Sequence, residues 1–175
     1  MCNTQYSLDT FCFLLQACQY PFEAAKSRDL NTVKILFNGA NDNCIGYFTL
    51  RDTPLICAAV FGRLDVVRVL VEVGANVERT NAYRSTALHQ AAWNGHLDMC
   101  RLLLYRGAKM DPVDKWKETS LHLAEWPGHL SVLKMLVETG ADVRLKNELS
   151  QTACDVARNE VKEDVAERLD EVSSR

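Results

Sequence analysis

Apolar and small residues recur in this chain with a fixed beat. Leu64, Leu97 and Leu130 stand 33 residues apart, as do Val66, Met99 and Val132, and Leu70, Leu103 and Leu136. Within each set the spacing is that of one face of a helix about nine residues long. Upstream of each lies a second, shorter apolar run containing Ala58, Ala91 or Ala124, small residues suited to close helix approach. Between the two runs stand Gly62, Gly95 and Gly128, and after the second come Gly74-Ala, Gly107-Ala and Gly140-Ala. A glycine at the end of a helical run supplies the left-handed residue that closes it. Thr53, Thr86, Thr119 and Thr152 precede the first run and predict N-caps there. Each unit thus reads as helix, tight turn, helix and extended loop, and no unit buries its apolar face alone. Stacking does.

The pattern frays at both ends. Residues Met1 to Tyr20 do not repeat; Ser7 or Asp9 caps a short predicted helix carrying Phe11, Leu14, Leu15 and Cys18. That helix reads as a cap over the stack, or alternatively as a partner-binding helix. Tyr20-Pro-Phe-Glu-Ala-Ala opens a degenerate repeat with Pro21 where Pro54 stands later. The connection from Asn41 to Asp52 is longer than its counterpart and carries Tyr47 and Phe48, a second place where an interaction role is open. In the last unit Ala153, Cys154, Val156, Ala157, Val165 and Leu169 keep an inward face, while Val161-Lys-Glu replaces the Gly-His-Leu turn. Arg168, Asp170 and Glu171 make its outer side polar, as a C-terminal cap requires.

These units, from Thr-x-Leu-His-x-Ala at Thr86 and Thr119 to the Gly-Ala pairs, resemble ankyrin repeats over roughly Tyr20 to Val172. The expected fold is an all-α repeat solenoid, an ankyrin stack of helix-turn-helix units joined by β-hairpin-like loops. Its expected organisation is a capping segment over 1–19 and a repeat domain over 20–175. The repeats fall at about 20–46, 47–80, 81–113, 114–146 and 147–175. The resemblance implies a concave face, with protein partners held by loop tips and first helices. It also gives His89, His122, His96 and His129 structural hydrogen-bonding roles. The chain departs from the family pattern two residues before each Thr, where the usual glycine is Arg51, Arg84, Lys117 or Ser150. That brings the usual tip turn into question, because only glycine takes positive φ without cost.

Composition changes this picture little. Net charge is −3 over 175 residues, which offers no general attraction for duplex nucleic acid. The seven cysteines include no Cys-x-x-Cys, and Cys100 and Cys154 sit in apolar register, as buried free thiols in a reducing compartment do. Phe11-Cys-Phe-Leu-Leu is too short for a membrane span and lacks the basic flank of a signal peptide. An intracellular, cytoplasmic or nuclear monomer is expected.

All four histidines fall on repeat positions, and phosphate-loop and metalloprotease motifs are missing. No catalytic residue, metal or cofactor is therefore assigned. The residues that repeat folding does not demand are more telling. Val60, Trp93 and Trp126 share one column just before the turn glycine. Leu50, Tyr83, Trp116 and Leu149 share another near the tips, followed by Arg51, Arg84 and Lys117. Aromatic and arginine side chains are those enriched at binding hot spots. Leu50, Tyr83, Arg84, Trp93, Trp116, Lys117, Trp126 and Leu149 are the candidate partner-binding residues. The bland alternative is that the tryptophans simply pack on one another. A second function class is a short nucleotide or small anionic ligand stacked on Trp93 or Trp126 beside Arg84 and Lys117. Length alone suggests a third, a kinase-inhibitor-like ankyrin protein. Pro127 predicts a shortened or distorted inner helix that re-aims Trp126.

Overall fold

The computed structural model describes residues 52–126 and 128–159, with side chains as far as residue 156. Expectations for Leu50, Arg51, segment 1–19, the first repeat and the outer part of the last one lie outside those residues. Seven helices and no strands occur among the described residues. They are α1 (Pro54–Val60), α2 (Leu64–Glu72), α3 (Ala87–Trp93), α4 (Leu97–Tyr105), α5 (Ser120–Glu125), α6 (Leu130–Thr139) and α7 (Ala153–Asn159). The odd-numbered helices pack side by side in chain order, as an inner row. The even-numbered ones form an outer row against them.

Helices α1, α3 and α5 each start where a threonine leaves extended backbone. The Thr53 hydroxyl accepts from the Ile56 amide, and that of Thr86 from the His89 amide. Such a cap stabilises a helix by about 1 kcal/mol. Helices α1, α3 and α5 each end on a paired closing bond. After α3, Gly95 N–H reaches the Ala92 carbonyl and His96 N–H the Ala91 carbonyl, and α1 and α5 close in the same way. The turn glycines take φ of 66°, 72° and 77° at Gly62, Gly95 and Gly128. A second constraint acts on two of them: a methyl group at Gly62 or Gly95 would lie 2.7 or 2.6 Å from the imidazole of His96 or His129 in the following repeat.

Between the helix rows lies one continuous core. Val66, Val67 and Leu70, Met99, Cys100 and Leu103, and Val132, Leu133 and Leu136 are buried, as are Ala58, Ala91 and Ala124. Burying each leucine stabilises the stack by about 1.5–3 kcal/mol. Cys100 does stand in apolar register, and burial pushes its thiol up to about 12. Cys57, Cys100 and Cys154 are buried free thiols. One inward assignment fails: Leu64 and Leu97 are partly covered, but Leu130, the first residue of α6, is half exposed at the rim of its helix.

The loop tips correct a second expectation. Arg84, Lys117 and Ser150 adopt φ of 59°, 59° and 60°, so the left-handed turn is kept without glycine. What holds it is a residue three positions earlier. Asn81 Oδ1 accepts the amides of Tyr83 and Ser85, at 2.9 and 3.0 Å. Asp114 does the same for Trp116 and Glu118, and Asn147 for Leu149 and Gln151. These side-chain acceptors stand in for backbone partners and offset the cost of positive φ. Consecutive tips are then joined by Lys115 N–H to the Tyr83 carbonyl and Glu148 N–H to the Trp116 carbonyl.

Candidate partner-binding face

The inner helices and tips bring most of the candidate residues together as two aromatic ladders. Trp93 and Trp126, at the ends of α3 and α5, stack with ring centroids 6.5 Å apart and planes 27° from parallel. Tyr83 and Trp116, on neighbouring tips, lie 5.3 Å apart at 33°. Both fall within the favourable range for offset aromatic pairs. The pairing leaves much of each ring uncovered: Trp93 is 40%, Trp116 45% and Trp126 55% exposed. Leu149 continues the tip ladder at 77% exposure. Arg84 and Lys117 are exposed beside it. Val60, which shares the Trp93 column, is only partly exposed, and Phe61 beside it is exposed.

Pro127 shortens its inner helix but does not re-aim Trp126. Helix α5 ends one position earlier in the repeat than α3, yet Trp126 keeps helical backbone, φ −49° and ψ −50°. Gly128 N–H still reaches the Glu125 carbonyl and His129 N–H the Ala124 carbonyl. Those two bonds, with the ring contact to Trp93, outweigh the penalty on helical backbone before proline.

The histidines build the platform beneath the ladders. His89 Nδ1 accepts the Thr86 amide at 3.2 Å and contacts the Thr86 hydroxyl at 2.9 Å. Its Nε2 then carries the proton and donates to the Glu118 carbonyl of the next repeat, 3.2 Å away. His122 repeats this with Thr119 and the Gln151 carbonyl. Burial lowers the pKa of both rings from the usual 6.5, so both are held neutral. His129 Nε2 donates to the Trp93 carbonyl across the repeat boundary, which ties a platform histidine directly to a ladder residue. In the last unit Asp155 takes the histidine slot and accepts from the Thr152 amide and hydroxyl.

Two features escaped the sequence reading. The Asn81, Asp114 and Asn147 column recurs every 33 residues and holds the tips. Glu125 is fully buried where the two preceding repeats have Ala59 and Ala92 and the last one has Arg158.

The nucleotide or small-anion alternative calls for positive charge beside the exposed rings. A cleft of about 570 Å³ near Arg84 sets the acids Glu78 and Asp111 against Arg84 and Lys109, with Lys109 Nζ 3.9 Å from Glu78. It holds no surplus of positive charge. Among the described residues there is no cluster of His, Cys, Asp and Glu arranged to hold a metal ion.

Comparison with known families settles what this architecture is. The family model described as ankyrin repeats (3 copies) matches residues 22–114. This chain is an ankyrin repeat protein. A second family model, ankyrin repeats (many copies), matches residues 94–136, which run from the end of α3 into α6. Ankyrin repeats generally mediate protein–protein interaction, so protein partners are the expected ligands of the stack. Among the described residues no helix is long and apolar enough to cross a membrane.

Proposed function

We propose that this ankyrin protein is a non-catalytic binding module that grips a protein partner across its two aromatic ladders. Trp93 and Trp126 on the inner helices and Tyr83, Trp116 and Leu149 on the tips supply the apolar contact. Arg84 and Lys117 border it. The observation that carries this reading is the exposure of three tryptophans on one short stretch of stack, 40–55% each, despite their ring pairing. Folding alone does not require large rings there, since Val60 occupies the same column as Trp93. Uncovered apolar surface of this kind marks interaction sites.

The test is partner recovery by the full chain and by a Trp93→Ala/Trp116→Ala variant, with circular dichroism to show that both are folded. Recovery should fall by about tenfold or more, because truncating a buried aromatic anchor commonly costs 2 kcal/mol or above. Equal recovery by a folded double variant sinks the proposed face. Quenching of tryptophan fluorescence by a short oligonucleotide at low salt, lost at high salt, would favour the anionic-ligand alternative.

A further inference from the structure

We infer that the tip ladder takes an acidic peptide segment, one in which apolar side chains alternate or cluster with Asp and Glu. This rests on the binding face proposed above and names the chemistry of its partner. The tips sort their charges by sign. Their acids are drawn inward: Asp114 is buried and accepts two backbone amides. Glu118 is half-buried with Asn147 hydrogen-bonded to it, and Asp52 accepts from the Asn81 side-chain amide at 2.9 Å. Their cations stand outward. Arg84, Lys115 and Lys117 are all exposed and make no ion pair among the described residues.

Among the described residues the one exposed acid on these tips is Glu148, beside Leu149. The edge formed by Tyr83-Arg84 and Lys115-Trp116-Lys117 thus carries three exposed cations in a chain of net charge −3, with Arg84 also bordering the charge-balanced cleft of Glu78, Lys109 and Asp111. Left-handed backbone at Arg84 and Lys117 is an added sign that these cations are not there for the fold, since glycine suits φ near 59° better. An apolar ladder with a cationic edge complements a segment that is apolar and acidic, and like charge would repel a basic one.

The probe is a random-peptide display library selected on the full-length protein, followed by synthetic copies of the enriched peptides. Enriched sequences should be net negative and rich in aromatic or aliphatic residues. Their binding should weaken by about tenfold or more in an R84E/K117E variant and weaken with added salt. Neutral or basic enriched sequences, unchanged affinity for the charge-reversed variant, or no enrichment would each overturn the inference. If selected peptides lose binding in Trp116→Ala but ignore charge reversal, the binding face stands and only the acidic partner falls. If they ignore Trp93 and Trp116 as well, the face itself falls. Displacement of the peptides by a short oligonucleotide would reassign the edge to nucleic acid.

Discussion

The boundary between the repeats that begin at Thr53 and Thr86 is built differently from the boundary between those at Thr86 and Thr119. In the second, His89 joins its own threonine to the Glu118 carbonyl across the boundary. In the first, the same slot holds Ile56, buried and unable to bridge, and the link that is seen runs from the Asn81 side chain to Asp52. Both solutions bury the slot, and both keep the threonine cap. The lesson is that this slot accepts either a buried apolar side chain or a bridging histidine, and the histidine adds directional bonds between repeats. A bridge also carries a liability that Ile56 lacks, because it works only while the ring is neutral.

Removing the bridge should have the largest effect. A His89→Leu substitution leaves the Thr86 amide without its ring acceptor and the Glu118 carbonyl without its donor, a loss of about 2–3 kcal/mol in urea unfolding. Ile56→Val, which only trims one methyl group, should cost about 1 kcal/mol. Acid separates the two slots further. His89 is held neutral in the fold and has an ordinary pKa near 6.5 when unfolded, so the unfolded chain binds more protons below that value. Stability is therefore full above pH 6.5 and falls as pH drops toward the lowered folded value. The slope is at most about 1.4 kcal/mol per pH unit for each such ring. His122 contributes in the same sense. Burial raises the carboxyls of Asp52, Asp111 and Glu118, which act in the opposite sense. The difference between native and His89→Leu chains isolates the ring. A difference that does not shrink on acidification from about pH 7 to pH 5 contradicts the neutral-bridge reading.

Glycine offers the next sharpest comparison. Gly95 and Gly107 both take positive φ, 72° and 90°, but only Gly95 lies beneath a ring from the neighbouring repeat. Gly107→Ala meets nothing within 4 Å and should cost only the left-handed penalty, about 1 kcal/mol. Gly95→Ala must also push aside His129, whose Nε2 is bonded to the Trp93 carbonyl, and should cost roughly twice as much. Since that bond anchors the end of α3, Gly95→Ala should also change the fluorescence of Trp93, while Gly107→Ala should not. Equal losses from the two alanines would mean that the ring moves freely.

Period and residue type made the helices, their caps and their closing glycines legible before any coordinates, because each repeats with one physical purpose. Thr86, Gly95 and Leu103 are examples. The ladders were legible as columns too, and the structure brings Tyr83 to Trp116 and Trp93 to Trp126. The tips were misjudged. The Asn81, Asp114 and Asn147 column that holds Arg84 and Lys117 without glycine is hard to see in sequence, because its letters differ although their acceptor oxygens do one job. Trp126 was misjudged for a related reason. The local effect of a following proline is outweighed there by the ring contact and closing bonds, which the sequence does not display. Glu125 resists a rule based on repetition altogether, since its column reads Ala59, Ala92, Glu125 and Arg158.

The smallest expected effect separates fold from function most cleanly. Lys117 holds φ at 59° against the preference of any residue with a side chain, on a tip fastened by Asp114. Lys117→Gly relieves that strain. It should raise stability by roughly 0.5–1 kcal/mol, the left-handed relief reduced by the extra freedom glycine gains when unfolded. The same substitution on the bordering cation should weaken partner binding. Urea unfolding and binding measured on one protein preparation then move in opposite directions. If both improve, Lys117 contributes nothing to the face. If stability falls instead, its side chain has a packing role that outweighs the strain relieved at the tip.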